Sequence, residues 1–214
     1  MGAEIPDFEP ANDAEMAEWI AAVTDGQDAF ADVRALSDRH REEHGCDVYP
    51  SGGGPLLGAL AGMVRPVRAL EVGCGLGYSA LWIAHGGGEQ CWVQTIEADP
   101  GHAEIAKAQL RLHGFDVAVE VLQGRSSEVL RELNGPYDFA FFDGDPEGCL
   151  SDLDQFGRTL RPGGVLVSSN LFLARHVVDA SWIPEVAAYR RRLLSDPAWQ
   201  TAFLPNGKAV SVRR

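Results

Sequence analysis

Three alternating glycines stand between a short apolar segment and a helix-like segment. Gly73, Gly75 and Gly77 form the pattern G-x-G-x-G, preceded by Glu71 and followed by Ser79. Glycines at this spacing let the backbone turn tightly and approach a ligand at the carboxyl end of a strand. A carboxylate before the turn repels a pyrophosphate and favours an ammonium or sulfonium group. The pattern predicts a ligand cradle beside a positive charge, and a plain tight turn is the alternative.

Further polar side chains follow the next apolar runs. Glu97 lies 26 positions after Glu71, where an acidic side chain holds ribose hydroxyls in nucleotide-binding folds. Ser126 follows the third run and either contacts an adenine edge or caps a helix. Asp143 follows the strongly apolar run 139–142, where a strand has no need of a carboxylate, so a functional role is favoured over a turn before Gly144.

Short apolar runs alternate with amphipathic stretches from residue 68 onward. The predicted strands are 68–72, 91–97, 117–123, 137–142, 165–168, 199–204 and 209–212. The predicted helices are 78–85, 101–113, 126–133, 149–160 and 183–195. This alternation predicts an α/β fold with a doubly wound, mostly parallel sheet and helices on both faces. The last two runs flank an Asn-Gly turn, which predicts a hairpin and one antiparallel strand.

The length of 214 residues predicts one domain. Residues 1–50 read as a helical lead-in with apolar side chains at helical spacing, and 51–214 as the ligand-binding core. The break between them is the run 49–55, which is rich in glycine and proline.

Composition limits the partners and the compartment. The net charge of −13 disfavours nucleic acid and anionic lipid. No apolar run is long enough to cross a bilayer, and the acidic first twenty residues do not resemble an export signal. The four cysteines lack C-x-x-C spacing, so neither a disulfide framework nor a zinc knuckle is predicted. We therefore expect a cytoplasmic protein.

Four segments together carry a resemblance to a known family. They are 71–79 (EVGCGLGYS), 95–97 (TIE), 141–145 (FFDGD) and 160–165 (LRPGGV). In this order and spacing, the sequence resembles the class I S-adenosylmethionine-dependent O-methyltransferases, in the group that includes catechol and caffeoyl-CoA O-methyltransferases. The resemblance runs from about residue 49 to the carboxyl terminus.

The resemblance implies a Rossmann-like sheet of seven strands, S-adenosylmethionine as cofactor and a small-molecule acceptor. It also implies a homodimer, in which Trp182 and Trp199 are candidate interface residues, with a place in the core as the alternative. The implied cofactor-binding residues are Glu71 near the amino acid end, Gly73, Cys74, Gly75 and Gly77 as the cradle, Ser79 at the carboxylate, Glu97 at the ribose and Ser126 at the adenine. If no metal is held, we expect Asp143 beside the sulfonium and the acceptor hydroxyl as the catalytic residue.

The sequence departs from the resembled group at the chemical centre. Many members hold a divalent cation with an Asp at the fourth strand and an Asp-Asn pair after the fifth, and place a lysine three residues after the first Asp. Here Asp143 and Asn170 match, but Ser169 replaces the second carboxylate and Pro146 the lysine. One carboxylate predicts weak binding of Mg²⁺ or Ca²⁺. Without the cation, His176 is a candidate general base, with a solvent-facing helix residue as the alternative.

The segment 40–44 reads H-R-E-E-H, which formally matches an inverted zinc-protease motif. Its strongly charged surroundings favour a solvated helix face.

Two other functions remain open at this point. One is a protein that binds S-adenosylmethionine with weak or lost catalysis, which Pro146 and Ser169 suggest. The other is methylation of a hydroxyuridine in tRNA, for which Arg190, Arg191 and Arg192 form the only dense internal basic run.

Overall fold

The structure is a computed structural model that describes residues 10–46, 48–50, 53–172 and 180–214. The strands are β1 (Arg68–Val72), β2 (Trp92–Glu97), β3 (Val119–Gln123), β4 (Tyr137–Phe142), β5 (Leu160–Ser168), β6 (Trp199–Phe203) and β7 (Ala209–Arg213). The helices are α1 (Asp13–Gly26), α2 (Ala31–His44), α3 (Gly54–Val64), α4 (Tyr78–Gly87), α5 (Pro100–Leu112), α6 (Ser126–Glu132), α7 (Cys149–Thr159) and α8 (Ile183–Ser195), which follows the 3₁₀ turn Ala180–Trp182. None of these helices is long and apolar enough to span a membrane.

The seven strands form one sheet in the order β3-β2-β1-β4-β5-β7-β6. Neighbouring strands from β3 to β5 are parallel, whereas β7 runs antiparallel to both β5 and β6. This confirms the predicted α/β fold, with its doubly wound sheet and one antiparallel strand. The strand order reverses between β1 and β4, so a crevice opens there at the carboxyl ends of the strands.

The prediction for the fifth strand was too short. The sequence predicts a helix up to residue 160 and a turn at 161–164, but β5 already begins at Leu160, which pairs with Tyr137 of β4. The register then shifts before Phe139 pairs with Val165. The proline and glycines that suggested a turn are therefore accommodated by an irregularity in the pairing of β4 with β5.

Both faces of the sheet are buried. Phe139 and Phe141 of β4 lie in the apolar cluster on one face, while Ala140 and Phe142 lie in the cluster on the other. Successive side chains of a strand point to opposite faces, so a strand covered on both sides is apolar throughout. This explains why β4 has no alternation of polar and apolar residues, and why the polar Asp143 at its end stands out.

The region before α2 is joined to the core at the start of α4. Phe30 is buried, and its ring meets that of Trp82 edge to face at 5.3 Å. The Tyr78 hydroxyl donates to Asp28 at 2.8 Å, and Asp28 also forms an ion pair with Arg34 at 2.9 Å. These contacts fix the first turn of α4, the helix that directly follows the glycine loop.

Glycines let α3 and α4 pack very closely. A Cβ atom on Gly86 would lie 2.0 Å from the carbonyl oxygen of Gly58, and one on Gly54 would lie 2.3 Å from Nε1 of Trp82. No side chain fits at these distances. Close packing against α3 therefore sets the position of α4.

Substitution Gly86→Ala tests this packing. The added methyl group must push α3 and α4 apart, and we expect the free energy of unfolding to fall by about 1–3 kcal/mol. Gly157→Ala is the matched control, since it is also in a helix but its Cβ would make only an ordinary contact, at 3.8 Å, with Trp199. The control should be neutral or slightly stabilising because alanine favours helix. Equal stability of both variants in urea denaturation would contradict the packing argument.

Candidate active site

The glycine loop joins β1 to α4 with three glycines in the left-handed region. Their φ angles are +92° at Gly73, +52° at Gly75 and +98° at Gly77. Residues with a side chain rarely adopt these angles. A Cβ atom on Gly73 would also lie 2.4 Å from the carbonyl oxygen of Asp143. The loop therefore runs directly against the end of β4, and it brings the predicted cradle next to the predicted acceptor centre.

Glu97 fixes the glycine loop from the end of β2. Its Oε2 accepts a hydrogen bond from the backbone N–H of Gly75 at 2.7 Å, and its Oε1 accepts one from the N–H of Asp99 at 2.9 Å. A carboxylate has about four acceptor positions, so it can still receive the hydroxyls of a ribose. The sequence suggested the ribose contact, but it did not reveal that the same side chain holds the cradle.

Glu71 is fully buried below the loop. The hydroxyl of Thr95 donates to its Oε2 at 2.5 Å, while Oε1 has no hydrogen-bond partner among the described residues. Burial raises the pKa of Glu71 to about 7, and the hydroxyls of Ser79 and Thr95 offset part of the rise. A buried carboxylate oxygen without a partner is costly, and a cationic ligand group beside it would remove that cost.

Cys74 and Ser126 are predicted cofactor contacts with different surroundings. Cys74 is buried in the loop, and burial raises the pKa of its thiol well above its usual value. The thiol is therefore neutral and acts as part of the cradle wall. Ser126 begins α6 and donates its hydroxyl hydrogen to Asp152 at 2.7 Å. Toward an adenine, Ser126 therefore offers its oxygen lone pairs and a backbone N–H of the first helical turn.

Asp143 and Asn170 lie together at the carboxyl ends of β4 and β5. Nδ2 of Asn170 donates to Oδ1 of Asp143 at 2.7 Å, and Asn170 has a left-handed φ of +54°. Burial raises the pKa of Asp143 to about 6, while Lys208 and Ser169 offset part of the rise. The sequence named both residues as matches to the metal-ligand pattern of the resembled group, but it did not predict the cation beside them.

Lys208 supplies that cation from the hairpin between β6 and β7. Its ammonium group donates to the hydroxyl of Ser169 at 3.0 Å, and the residue is only 7% exposed. Burial lowers the pKa of Lys208, and Asp143 opposes this change. The sequence pattern did not predict this cation, because Pro146 stands where the resembled group has its lysine. A signal was available, because Lys107 and Lys208 are the only lysines among 214 residues.

The described residues do not fit the divalent cation of the resembled group. A hard cation needs several oxygen ligands with sufficient negative charge. Among the described residues, Asp143 belongs to no group of three or more His, Cys, Asp or Glu ligands. Its Oδ1 already accepts the amide N–H of Asn170, and Ser169 is neutral. The ammonium group of Lys208 adds a positive charge at the same place. The candidate general base His176 lies outside the described residues.

The two histidines of the zinc-protease motif do not form a paired site with a third ligand. The ring centroids of His40 and His44 are 4.4 Å apart. However, the described residues whose possible ligand atoms all lie within 4.8 Å of one another are His40, Cys46 and His102, and His44 is not among them. His44 is exposed at the end of α2. The pairing of imidazoles that the motif requires is therefore missing from this arrangement.

Fold and site together define a class of protein. The strand order reverses where a glycine loop, an acid at the end of β2 and an acid at the end of β4 converge. Doubly wound α/β enzymes bind nucleotide-like cofactors at this position. The unpartnered oxygen of Glu71 and the absence of any phosphate-binding cation in the described loop favour a cofactor with a cationic end.

Comparison with known proteins identifies the family. A methyltransferase domain model matches residues 70–170. A catechol O-methyltransferase from Mycobacterium tuberculosis is 36% identical over 141 residues, which are 65% of this chain and 64% of that protein. A protein provisionally named as an O-methyltransferase from Mycobacterium sp. strain KMS is 32% identical over 200 residues, 91% of each chain. The cofactor-bound crystal structure of Rv0187 from MTB has a TM-score of 0.79 at 27% identity and covers 96% of this chain and 99% of its own.

The chain belongs to the class I S-adenosylmethionine-dependent O-methyltransferases. It is an enzyme that transfers a methyl group from S-adenosylmethionine to an oxygen of a small molecule. The structure of an O-methyltransferase from Bacillus cereus, in complex with SAH, shares the fold with a TM-score of 0.77 at 21% identity and covers 93% of this chain and 97% of its own.

Glu71→Gln tests the burial of the unpartnered carboxyl. Because the pKa of Glu71 is raised from 4.5 to about 7, ionisation of this group opposes folding. The neutral carboxyl therefore contributes its full share of the unfolding free energy only below pH 4.5, and this contribution is lost as the pH rises through 7. Glutamine stays neutral, so the variant without cofactor should gain about 1–3 kcal/mol of unfolding free energy at pH 8 and little at pH 5. The exposed Glu128→Gln is the control. A gain that does not depend on pH would contradict the explanation.

Proposed function

We propose that the acceptor is a small phenol and that its hydroxyl is methylated between the glycine loop and Asp143. The contact of Gly73 with the backbone of Asp143 carries this proposal, since it brings the cofactor cradle and the acceptor centre together. A phenolic acceptor is supported by the similarity to the mycobacterial catechol O-methyltransferase, of whose length the match spans 64%.

The residues around the loop suit S-adenosylmethionine, which supplies an electrophilic methyl group on a sulfonium. In the proposal, Glu71 attracts the cationic amino acid end, and Ser79 lies beside it at the start of α4. Gly73, Cys74, Gly75 and Gly77 provide the backbone of the cradle. Glu97 receives the ribose hydroxyls, and Ser126 contacts the adenine side. No cofactor phosphate has to be placed near these acids, which agrees with their negative charge.

Asp143 is the proposed catalytic residue of the acceptor centre. Asn170 donates to its Oδ1, and Ser169 also hydrogen-bonds the carboxylate. A carboxylate has about four acceptor positions, so the hydroxyl of the acceptor can still donate to it. The main contribution of the protein is then to orient the acceptor oxygen in line with the methyl group.

The basic run of α8 gives little support to a tRNA acceptor. Arg190 donates to the carbonyl of Leu171, and Arg192 forms ion pairs with Asp154 at 3.3 Å and Asp196 at 2.9 Å. These two arginines are therefore already engaged within the chain. With a net charge of −13, the described surface favours a small molecule over a polynucleotide.

The proposal also includes a homodimer and a location in the cytoplasm. The structure places Trp199 in the core, and Trp182 packs against that core, so the expectation that these aromatics form a dimer interface is not supported. The exposed Met16 and Ile20, one turn apart on α1, provide the alternative surface for a homodimer. The four free cysteines agree with a reducing cytoplasm.

The double substitution Met16→Asp with Ile20→Asp tests the homodimer. We expect a dimer mass for the wild type in light scattering at micromolar concentration, and a monomer mass for the variant because charge replaces the apolar surface. The control replaces the exposed Leu194 of α8 by aspartate and should leave the dimer intact. A wild-type monomer would refute the dimer.

Methyl transfer to catechol by the wild type, together with cofactor binding by a Glu97 variant, tests the proposed function. The wild type should release S-adenosylhomocysteine and form the methyl ether of catechol, detected by mass spectrometry. Glu97→Ala should weaken S-adenosylmethionine binding in calorimetry by about 1–3 kcal/mol through loss of hydrogen bonds to the ribose and the loop. Glu104→Ala, exposed on α5, is the control and should not change the affinity. Unchanged binding by Glu97→Ala would remove this residue from the site, and methylation of tRNA but not of catechol would overturn the acceptor class.

A further inference from the structure

The buried position of Lys208 is built into the fold. The hairpin is closed by hydrogen bonds from Leu204 N–H to the carbonyl of Lys208 at 2.8 Å and from Gly207 N–H to the carbonyl of Leu204 at 3.0 Å. The aliphatic stem lies against Gly53, on which a Cβ atom would be 3.0 Å from Cε of the lysine. The side chain therefore has little room to leave the site.

Within the part of the chain that the structure describes, the ammonium group has capacity left for a ligand. It carries three N–H donors, of which one is directed to the hydroxyl of Ser169 at 3.0 Å. Asp143 is the acidic group that acts on Lys208 electrostatically, and it lies at the acceptor centre. A buried ammonium with free donors, beside a single carboxylate, is suited to receive an oxygen atom that becomes negative during a reaction.

The position of Ser169 connects this cation with the metal site of the resembled enzymes. Ser169 stands where the second metal-binding carboxylate is expected, and it is this side chain that contacts the ammonium group. An ammonium and a divalent cation at the same place would repel each other strongly in a poorly solvated site. The neutral Ser169 and the ammonium group of Lys208 are therefore compatible with each other, but not with a divalent cation at the same place.

We propose that the ammonium group of Lys208 takes the place of the divalent cation and stabilises the acceptor oxygen during methyl transfer. This inference rests on the proposed function and adds a second catalytic residue to it. The acceptor oxygen forms a bond to the methyl carbon as the bond between this carbon and sulfur breaks. The bonding electrons remain on sulfur, which becomes a neutral thioether, and the hydroxyl proton passes by way of Asp143 to solvent.

The replacement also changes which acceptors fit. A divalent cation binds a catechol through two adjacent oxygens, so it selects vicinal diols. An ammonium group is a point charge that needs only one oxygen. The enzyme therefore methylates phenols with a single hydroxyl as well as catechols, and it does so without added metal.

Binding of Mn²⁺, followed by electron paramagnetic resonance in the absence of acceptor, tests the replacement directly. The wild type should bind no Mn²⁺ at concentrations up to about 1 mM, because the site has one carboxylate and one ammonium. The double variant Ser169→Asp with Lys208→Met should gain a site, with an affinity at least tenfold higher than that of the wild type. Tight binding of one ion by the wild type, lost in Asp143→Ala, would overturn the proposal even if methyl transfer were never observed.

Kinetics with catechol and with guaiacol, which has one free hydroxyl, provide a second test of the role of Lys208. Wild-type turnover of both should be unchanged by EDTA, and Lys208→Met should lower kcat by about 100-fold while S-adenosylmethionine affinity stays within twofold. Lys107→Met replaces the other lysine, which is on the surface of α5, and should change neither value. A kcat of Lys208→Met within twofold of the wild type would overturn the role of the ammonium group.

Two further results distinguish failure of this proposal from failure of the proposed function. Loss of wild-type activity in EDTA would refute the replacement of the metal but leave the methyltransferase function intact. A wild type that does not bind S-adenosylmethionine would instead refute the proposed site. If Lys208→Met does not fold, as judged by thermal denaturation, the EDTA and Mn²⁺ measurements on the wild type still decide the proposal.

Discussion

The close approach of the β1 and β4 ends is the constraint on which the site depends. With no side chain at Gly73, the loop after β1 can lie against the backbone of Asp143, where a Cβ atom would be only 2.4 Å from the carbonyl oxygen. The cofactor loop and the proposed acceptor centre thus share one contact. The same loop is held on its other side by Glu97, so its shape is set by both neighbouring strands. Methyl transfer requires this proximity because the two reacting groups must meet in line.

Charge is the second organising principle of this molecule. Glu71, Glu97 and Asp143 lie at the carboxyl ends of three adjacent strands, and the structure buries Glu71 completely. Burial raises the pKa values of Glu71 and Asp143, which means that the fold disfavours the ionised form of both carboxylates. A cationic cofactor and the ammonium group of Lys208 both reduce this penalty. The acidity of the site therefore matches a sulfonium cofactor and opposes phosphate-rich ligands.

The helices outside the sheet contribute by fixing the loop that follows β1. Contacts of Asp28 and Phe30 hold the first turns of α4 from one side, and the glycines of α3 admit the same helix at very short distance. Val48, which precedes α3, lies 3.3 Å from the position of a Cβ atom on Gly75. The amino-terminal region is thus part of the frame around the cofactor loop.

The sequence by itself determined the fold class and the kind of cofactor, and it singled out the loop and the acids that meet at one edge of the sheet. Apolar runs, the G-x-G-x-G pattern and the acids after the strands are local features, and local features are enough because parallel strands bring their carboxyl ends to one edge. The position of Lys208 beside Ser169 was decided by tertiary structure alone, since a hairpin far along the chain carries the side chain there. The two roles of Glu97 and the pairing of Ser126 with Asp152 also arise only between distant segments. Long-range packing and burial create these contacts, and neither is encoded in residue spacing.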